Sequence, residues 1–141
     1  MLARDHLSAI LITSSGLRII PVPGVITYSA SKSLASYLAI GLSYELEGKI
    51  DVMSWTLGMT DTKLLGNRRG SSRVATRKEA VDGMLKDLGK ERDTMGCTRH
   101  DGTLFFDLAP RGWLSRMFLG GMTKEREMLL KEGKIEPKEA W

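Results

Sequence analysis

Residues 14–32, SSGLRIIPVPGVITYSASK, decide the fold. They follow the apolar run Ala9-Ile10-Leu11-Ile12, which is typical of a buried parallel strand. A loop with two prolines and a glycine comes next, and a helical pattern begins after it. Because ligands of open α/β sheets bind at the carboxyl ends of the strands, the stretch predicts a strand, a ligand-binding turn and a helix.

Tyr28 and Lys32 are four positions apart, so a helix brings them to one face. A fixed positive charge beside a phenol stabilises the phenolate and favours proton transfer near neutral pH. Ser15 supplies a second hydroxyl at the end of the strand. Tyrosine and lysine at this spacing also occur by chance in helices, so the functional interpretation depends on Ser15 and the flanking elements.

Together these residues resemble the active-site segment of the short-chain dehydrogenase/reductases. Ser15 precedes Tyr28 by thirteen positions, which is the spacing of that family. The resemblance implies that Tyr28 donates a proton to the substrate, that Lys32 favours the ionised tyrosine and binds the nicotinamide ribose, and that Ser15 orients the substrate carbonyl. It implies NADPH as the cofactor.

A second similarity follows the next predicted strand, at residues 49–55. Residues 57–62, LGMTDT, take the place of the family's Pro-Gly-x-Val/Ile-x-Thr loop, which contacts the nicotinamide carboxamide. The resemblance implies cofactor contacts for Gly58, Thr60, Thr62 and Lys32. Leu57 replaces the proline, which removes a fixed backbone angle. A turn-capping role for Thr62 is equally open.

The predicted fold class is α/β, as the C-terminal half of a Rossmann-like parallel sheet with flanking helices. Strands are expected at residues 8–13 and 49–55, and a third near 95–98. A parallel βαβ unit takes roughly 30 residues, more than precede the first strand. We therefore expect the N-terminal nucleotide-binding βαβ units to be missing, and a missing half or another polypeptide to cover the sheet edge.

The helix predicted over residues 25–47 has two distinct faces. Leucines recur every four residues on one face, and serine and alanine dominate the other. The small face either packs closely against the chain's own sheet or admits the helix of a second copy. The resemblance favours a dimer through this helix, because the family commonly uses it in that way.

A capping box predicts the next helix. Thr76 stands three positions before Glu79, and the two side chains can bond each other's backbone N–H groups. The predicted buried stripe of this helix contains four residues: Val81, Met84, Leu85 and Leu88. Residues 64–75 are predicted to form a basic loop, in the place where the family has its substrate-covering segment.

The C-terminal part resembles the tail of the very-long-chain 3-oxoacyl-CoA reductases, the microsomal type of 17β-hydroxysteroid dehydrogenase. The similar segments are residues 96–100, 104–106, 110–114 and 122–126. They imply a 3-oxoacyl-CoA or steroid substrate and association with the endoplasmic reticulum membrane. Asp107, Arg111 and Arg116 interrupt the aromatic region, which favours a peripheral membrane contact or a protein interface over insertion.

These patterns divide the chain into a catalytic half, residues 1–93, and an extension, residues 94–141, which ends in a charged helix predicted from Thr123. The length of 141 residues and the hydrophobic fraction of 42% indicate a globular domain. The net charge of +4 comes without a recognisable nucleic-acid-binding module, so we expect no nucleic acid partner. The sequence contains no zinc-binding spacing, and we expect no metal.

Two functions remain open. The first is NAD(P)H-dependent reduction of a 3-oxoacyl-CoA or ketosteroid carbonyl, for which this chain alone is not expected to be competent. The second is a non-catalytic homologue that acts as a structural subunit of a larger assembly. Such an assembly would be mitochondrial or cytoplasmic rather than bound to the endoplasmic reticulum.

Overall fold

The computed structural model describes residues 8–63, 74–97, 99 and 108–133. The elements are, in chain order, β1 (Ala9–Ser15), a 3₁₀ turn (Gly16–Ile19), α1 (Ile26–Glu45), β2 (Asp51–Leu57), α2 (Arg77–Asp87), β3 (Asp93–Thr94) and α3 (Arg111–Lys131). The strands form one parallel sheet in the order β1-β2-β3. The predicted α/β class is confirmed.

β2 is the centre of this sheet and pairs with a strand on each side. Its residues Val52, Met53, Ser54 and Thr56 are buried, as expected for a strand that is covered on both faces. β1 pairs with β2 along its full length and reaches Ser15, two residues beyond the predicted end. Ser15 is therefore the last residue of a strand.

The third strand lies slightly earlier than predicted. Asp93 and Thr94 pair with Ser54 and Trp55, whereas the prediction was residues 95–98. The chain turns at Gly96, whose φ of 75° is in the left-handed region that favours glycine. A Cβ at this position would lie 2.8 Å from Trp55 Nε1, so the turn also requires a residue without a side chain.

α1 packs against the sheet through its small face. Ser29, Ser36, Ala39 and Ser43 are buried, and the hydroxyls of Ser36 and Ser54 are 3.1 Å apart. On the leucine face, Leu34 is 70% exposed and Tyr37 is 78% exposed. Of the two interpretations of the small face, packing on its own sheet is the one observed. A dimer through this helix stays a prediction, and it would use the exposed face.

The predicted capping box of α2 is present, but its buried stripe is displaced. Thr76 N donates to Glu79 Oε2 at 2.8 Å, and this backbone hydrogen bond is the main cause that lowers the pKa of Glu79. Ala80 and Met84 are buried, while Val81 and Leu85 are exposed.

Close backbone packing explains this rotation of α2. A Cβ at Gly83 would lie 1.2 Å from the Gly96 carbonyl oxygen, so helix and turn pack with no side chain between them. The contact turns Ala80 and Met84 inward.

α3 begins at Arg111, earlier than the charged helix predicted from Thr123. Leu114 is fully buried against Ile20 and Val22, which explains why the helix extends to this point. α3 therefore covers the loop that follows β1. No helix in the described ranges has the length and apolarity needed to cross a membrane. Residues 104–106 and most of the predicted basic loop lie outside the described residues.

β1 leaves one side unpaired within the described part of the sheet, and this generates a prediction. Backbone amides of a parallel strand point alternately to its two neighbours. We expect alternate amides of residues 9–15 to exchange rapidly in the purified chain, and to become protected in an assembly where a partner strand covers the edge. Amide exchange followed by NMR measures this, with the amides of β2 as the internal reference. Equal protection along β1 in both samples would contradict an edge partner.

Candidate active site

The predicted site residues lie at the carboxyl end of the sheet, where β1 and β2 both end. Ser15 is paired in register with Leu57, so residues 58–62 continue from the strand end that lies beside Ser15. Tyr28 and Lys32 are in the first two turns of α1, which packs against both strands. This is the edge at which open α/β sheets bind their ligands.

Lys32 lies between the tyrosine and the end of β1. Its Nζ is 5.7 Å from the centroid of the Tyr28 ring and donates to the Thr13 carbonyl oxygen at 3.1 Å. The structure thus brings the predicted phenol and ammonium together. Because an ammonium has three donors, two remain for hydroxyl groups of a ligand.

The Ser14 side chain holds the backbone of the same lysine. Its side chain is buried, and Oγ donates to the Lys32 carbonyl oxygen at 2.8 Å. Two consecutive residues of β1, Thr13 and Ser14, therefore hold Lys32 at its ammonium and at its carbonyl. Sequence reasoning did not identify Ser14 as a site residue. The available signal was the Ser14-Ser15 doublet, of which the family resemblance uses one member.

Ser15 caps the 3₁₀ turn that follows β1. Its Oγ accepts a hydrogen bond from the Leu17 N–H at 3.3 Å, and its backbone is extended. This bond occupies a lone pair, so the hydroxyl hydrogen can still be donated to a carbonyl oxygen. The cap also restricts the orientation of the Ser15 side chain. A residue that positions a substrate needs such a fixed orientation.

In the loop after β2, the Thr60 hydroxyl makes its hydrogen bond within the loop itself. Thr60 is buried, its Oγ1 donates to the Gly58 carbonyl at 3.3 Å, and its backbone bridges to Ala75. The Thr60 hydroxyl therefore stabilises the loop itself. Thr62 is half-buried two positions later. Both residues lie on the loop at the ligand-binding edge, where the sequence predicted cofactor contacts.

The surface around Tyr28 is open. Tyr28 is 42% exposed, so its side chain is accessible to solvent. A cleft of about 430 Å³ lies against another face of α1, where Ile26, Ser29 and Ser33 contribute to its wall, and neither Tyr28 nor Lys32 lines it. Within the described ranges, no group of His, Cys, Asp and Glu side chains is placed to hold a metal ion.

Two solved structures resemble this arrangement. A 7β-hydroxysteroid dehydrogenase matches with a TM-score of 0.67 and 29% identity over 78% of this chain and 45% of that one. A short-chain dehydrogenase from Burkholderia cenocepacia, solved in complex with NADP, matches with a TM-score of 0.63 and 25% identity. The second match covers 80% of this chain and 49% of that one.

The chain thus spans less than half the length of these two structures. No family model matches it, and no curated protein sequence matches it. The observed sheet and helices correspond to part of the Rossmann-like fold of these enzymes, as the sequence predicted. The structural neighbours of the chain are short-chain dehydrogenases, which supports its place in that superfamily of NAD(P)-dependent oxidoreductases.

Proposed function

We propose that this chain supplies the proton-donating half of a nicotinamide-dependent carbonyl reductase. The observation that supports this most directly is the position of the Lys32 ammonium, between the Tyr28 ring and the Thr13 carbonyl at the end of β1. An isolated surface lysine would be free to extend into water. Here the end of the strand holds it beside the phenol.

In the proposed mechanism, Ser15 and Tyr28 act on the substrate carbonyl oxygen. Ser15 donates a hydrogen bond that orients the carbonyl, and Tyr28 transfers its phenolic proton to the oxygen as negative charge develops there. The Lys32 ammonium stabilises the tyrosinate that is left. A reduced nicotinamide, when bound, supplies the hydride to the carbonyl carbon.

The described residues fit the nicotinamide end of such a cofactor. Lys32 has donors for ribose hydroxyls, and the loop with Gly58 and Thr62 lies at the same sheet edge. NADPH is the proposed form, supported by the neighbour that was solved with NADP. The cofactor's phosphates would be bound by the Gly-rich turn of an N-terminal half, whose last strand would pair with the side of β1 that has no partner among the described residues.

The proposed substrate is a 3-oxoacyl-CoA or a ketosteroid. One structural neighbour is a hydroxysteroid dehydrogenase, which is consistent with a bulky apolar substrate. The exposed Trp113 and Met117 on α3 would provide the apolar side chains for a peripheral membrane contact, and the resemblance of the C-terminal segments makes the endoplasmic reticulum the proposed membrane from which such substrates would be drawn.

A non-catalytic subunit is the second candidate function. The observation that favours it is the side of β1 with no paired strand among the described residues, which offers an edge to another polypeptide whether or not chemistry follows. The two candidates differ in what they require of Tyr28. Catalysis needs its hydroxyl, whereas assembly does not.

Replacement of Tyr28 by phenylalanine separates the two functions. Tyr28→Phe removes the proton donor and keeps the ring, so we expect the rate of carbonyl reduction to fall at least about 100-fold in the assembly that contains the nucleotide-binding half. NADPH oxidation with a 3-oxoacyl thioester or a ketosteroid, followed at 340 nm, measures the rate. Tyr37→Phe is the matched control, because Tyr37 is on the same helix and highly exposed. Similar rates for the two variants would remove Tyr28 from the mechanism.

Cofactor affinity provides a further prediction. We expect the 141-residue chain alone to bind NADPH with a Kd above about 100 µM, because the cofactor contacts proposed for it are all to the nicotinamide end. Isothermal titration calorimetry measures the affinity. Fusion of a complete nucleotide-binding half, with its Gly-rich turn, ahead of β1 should lower the Kd at least tenfold. Low-micromolar binding by the chain alone would contradict the division of the cofactor site.

A further inference from the structure

Arg18 lies in the 3₁₀ turn, three residues after Ser15, and its side chain reaches two other elements. Its Nη1 donates to Ser36 Oγ on α1 at 2.8 Å, and its Nη2 donates to Asp93 Oδ2 on β3 at 2.5 Å. The Arg18 carbonyl also accepts a hydrogen bond from the Ser33 hydroxyl. One residue of the turn is therefore bonded to α1 at two points and to β3 at a third.

The partners of Arg18 are themselves bonded to the central strand. Asp93 Oδ1 accepts from Thr56 Oγ1 at 3.1 Å, and the Ser36 hydroxyl lies 3.1 Å from that of Ser54. Ser54 and Thr56 are both buried in β2. The network connects the turn after Ser15, the helix that carries Tyr28, and the other two strands of the sheet, β2 and β3.

From this network we infer that Arg18 is a positioning residue, which fixes Ser15 relative to Tyr28 and Lys32. The inference rests on the proposed reductase function. Ser15 and Tyr28 belong to different elements, and the loop of residues 16–25 joins them. Because Arg18 bonds that loop to α1, it limits the separation of the two hydroxyls.

The burial and shape of the Arg18 side chain support this role. The side chains of Arg18 and Asp93 are only 21% and 30% exposed, so water screens their ion pair less than a surface pair. A planar guanidinium can donate to Ser36 and Asp93 at the same time. A lysine ammonium lacks this fork, so it would not reproduce both hydrogen bonds in the same geometry.

The network predicts how Arg18 variants change turnover. We expect Arg18→Met to lower kcat about 10- to 100-fold in the reductase assembly, because small displacements of reacting groups cost rate. The KM of the carbonyl substrate should change less than kcat, since the misplaced donor acts in the transition state. Arg18→Lys should recover part of the loss. The double variant with Asp93→Asn should lose little more than Arg18→Met alone, because both changes break the same ion pair.

Arg92→Met is the matched control. Arg92 bonds Glu47, stacks 4.0 Å from the Tyr44 ring, and so connects α1 with the start of β3 without reaching the turn. The Arg92→Met substitution removes the same charge as Arg18→Met, and its kcat should stay within about twofold of the wild-type value. An equal loss of kcat in both variants, or full kcat in Arg18→Met, would overturn the inference.

Amide exchange tests the same inference without catalysis. In the full chain, Arg18→Met should speed exchange of the amides in the turn (Gly16–Ile19) about tenfold or more, with those of β2 unchanged. If the wild-type assembly reduces no carbonyl, the proposed function fails, and this comparison alone decides the role of Arg18. Unchanged amide exchange in the turn would then reject a role for Arg18 in holding the turn. An equal increase in the exchange rate throughout the chain would also reject it.

Discussion

The close packing of α1 on the sheet is the contact on which the rest of the structure depends. Small serine and alanine side chains let the helix approach the sheet, and the serine hydroxyls form hydrogen bonds to the sheet or to the helix itself. One bond joins Ser36 to Ser54, and another joins Ser14 to the Lys32 carbonyl. A rotation of the helix by one residue, about 100°, would carry Lys32 away from Thr13. The site is therefore a consequence of this packing.

The sequence predicts the helix but not which of its faces is buried. The period of the leucines identifies α1, and the Tyr28–Lys32 spacing identifies its functional end. Apolar periodicity usually marks the buried face, yet here Leu34 and Leu38 are exposed, Leu42 and Leu46 are half-buried, and the hydrogen-bonded serines of the other face are buried. α2 shows the same limit, because the backbone contact between Gly83 and Gly96 sets its rotation. Such contacts between distant residues leave no local pattern in the sequence.

In the candidate site, too, some residues could be predicted from the sequence and others could not. Ser15, Tyr28 and Lys32 could be predicted because their spacing along one stretch is itself the signal, and the structure places them at one sheet edge. Ser14 and Arg18 could not, since their roles come from partners 18 and 75 positions away in the chain. Asp93 belongs to a strand that was predicted two residues late, so its approach to Arg18 had no basis in the sequence.

The loop between Ser15 and Tyr28 is held from two sides. Arg18 bonds it to α1 and β3, while Leu114 of α3 packs on Ile20, and the Ser115 hydroxyl donates to the Pro21 carbonyl at 3.1 Å. That last bond joins residues 94 positions apart. The C-terminal helix thus belongs to the support of the site, although none of its residues was a catalytic candidate. A partner or membrane surface that moved α3 would therefore change the separation of the Ser15 and Tyr28 hydroxyls, the two proposed as catalytic, without touching either one.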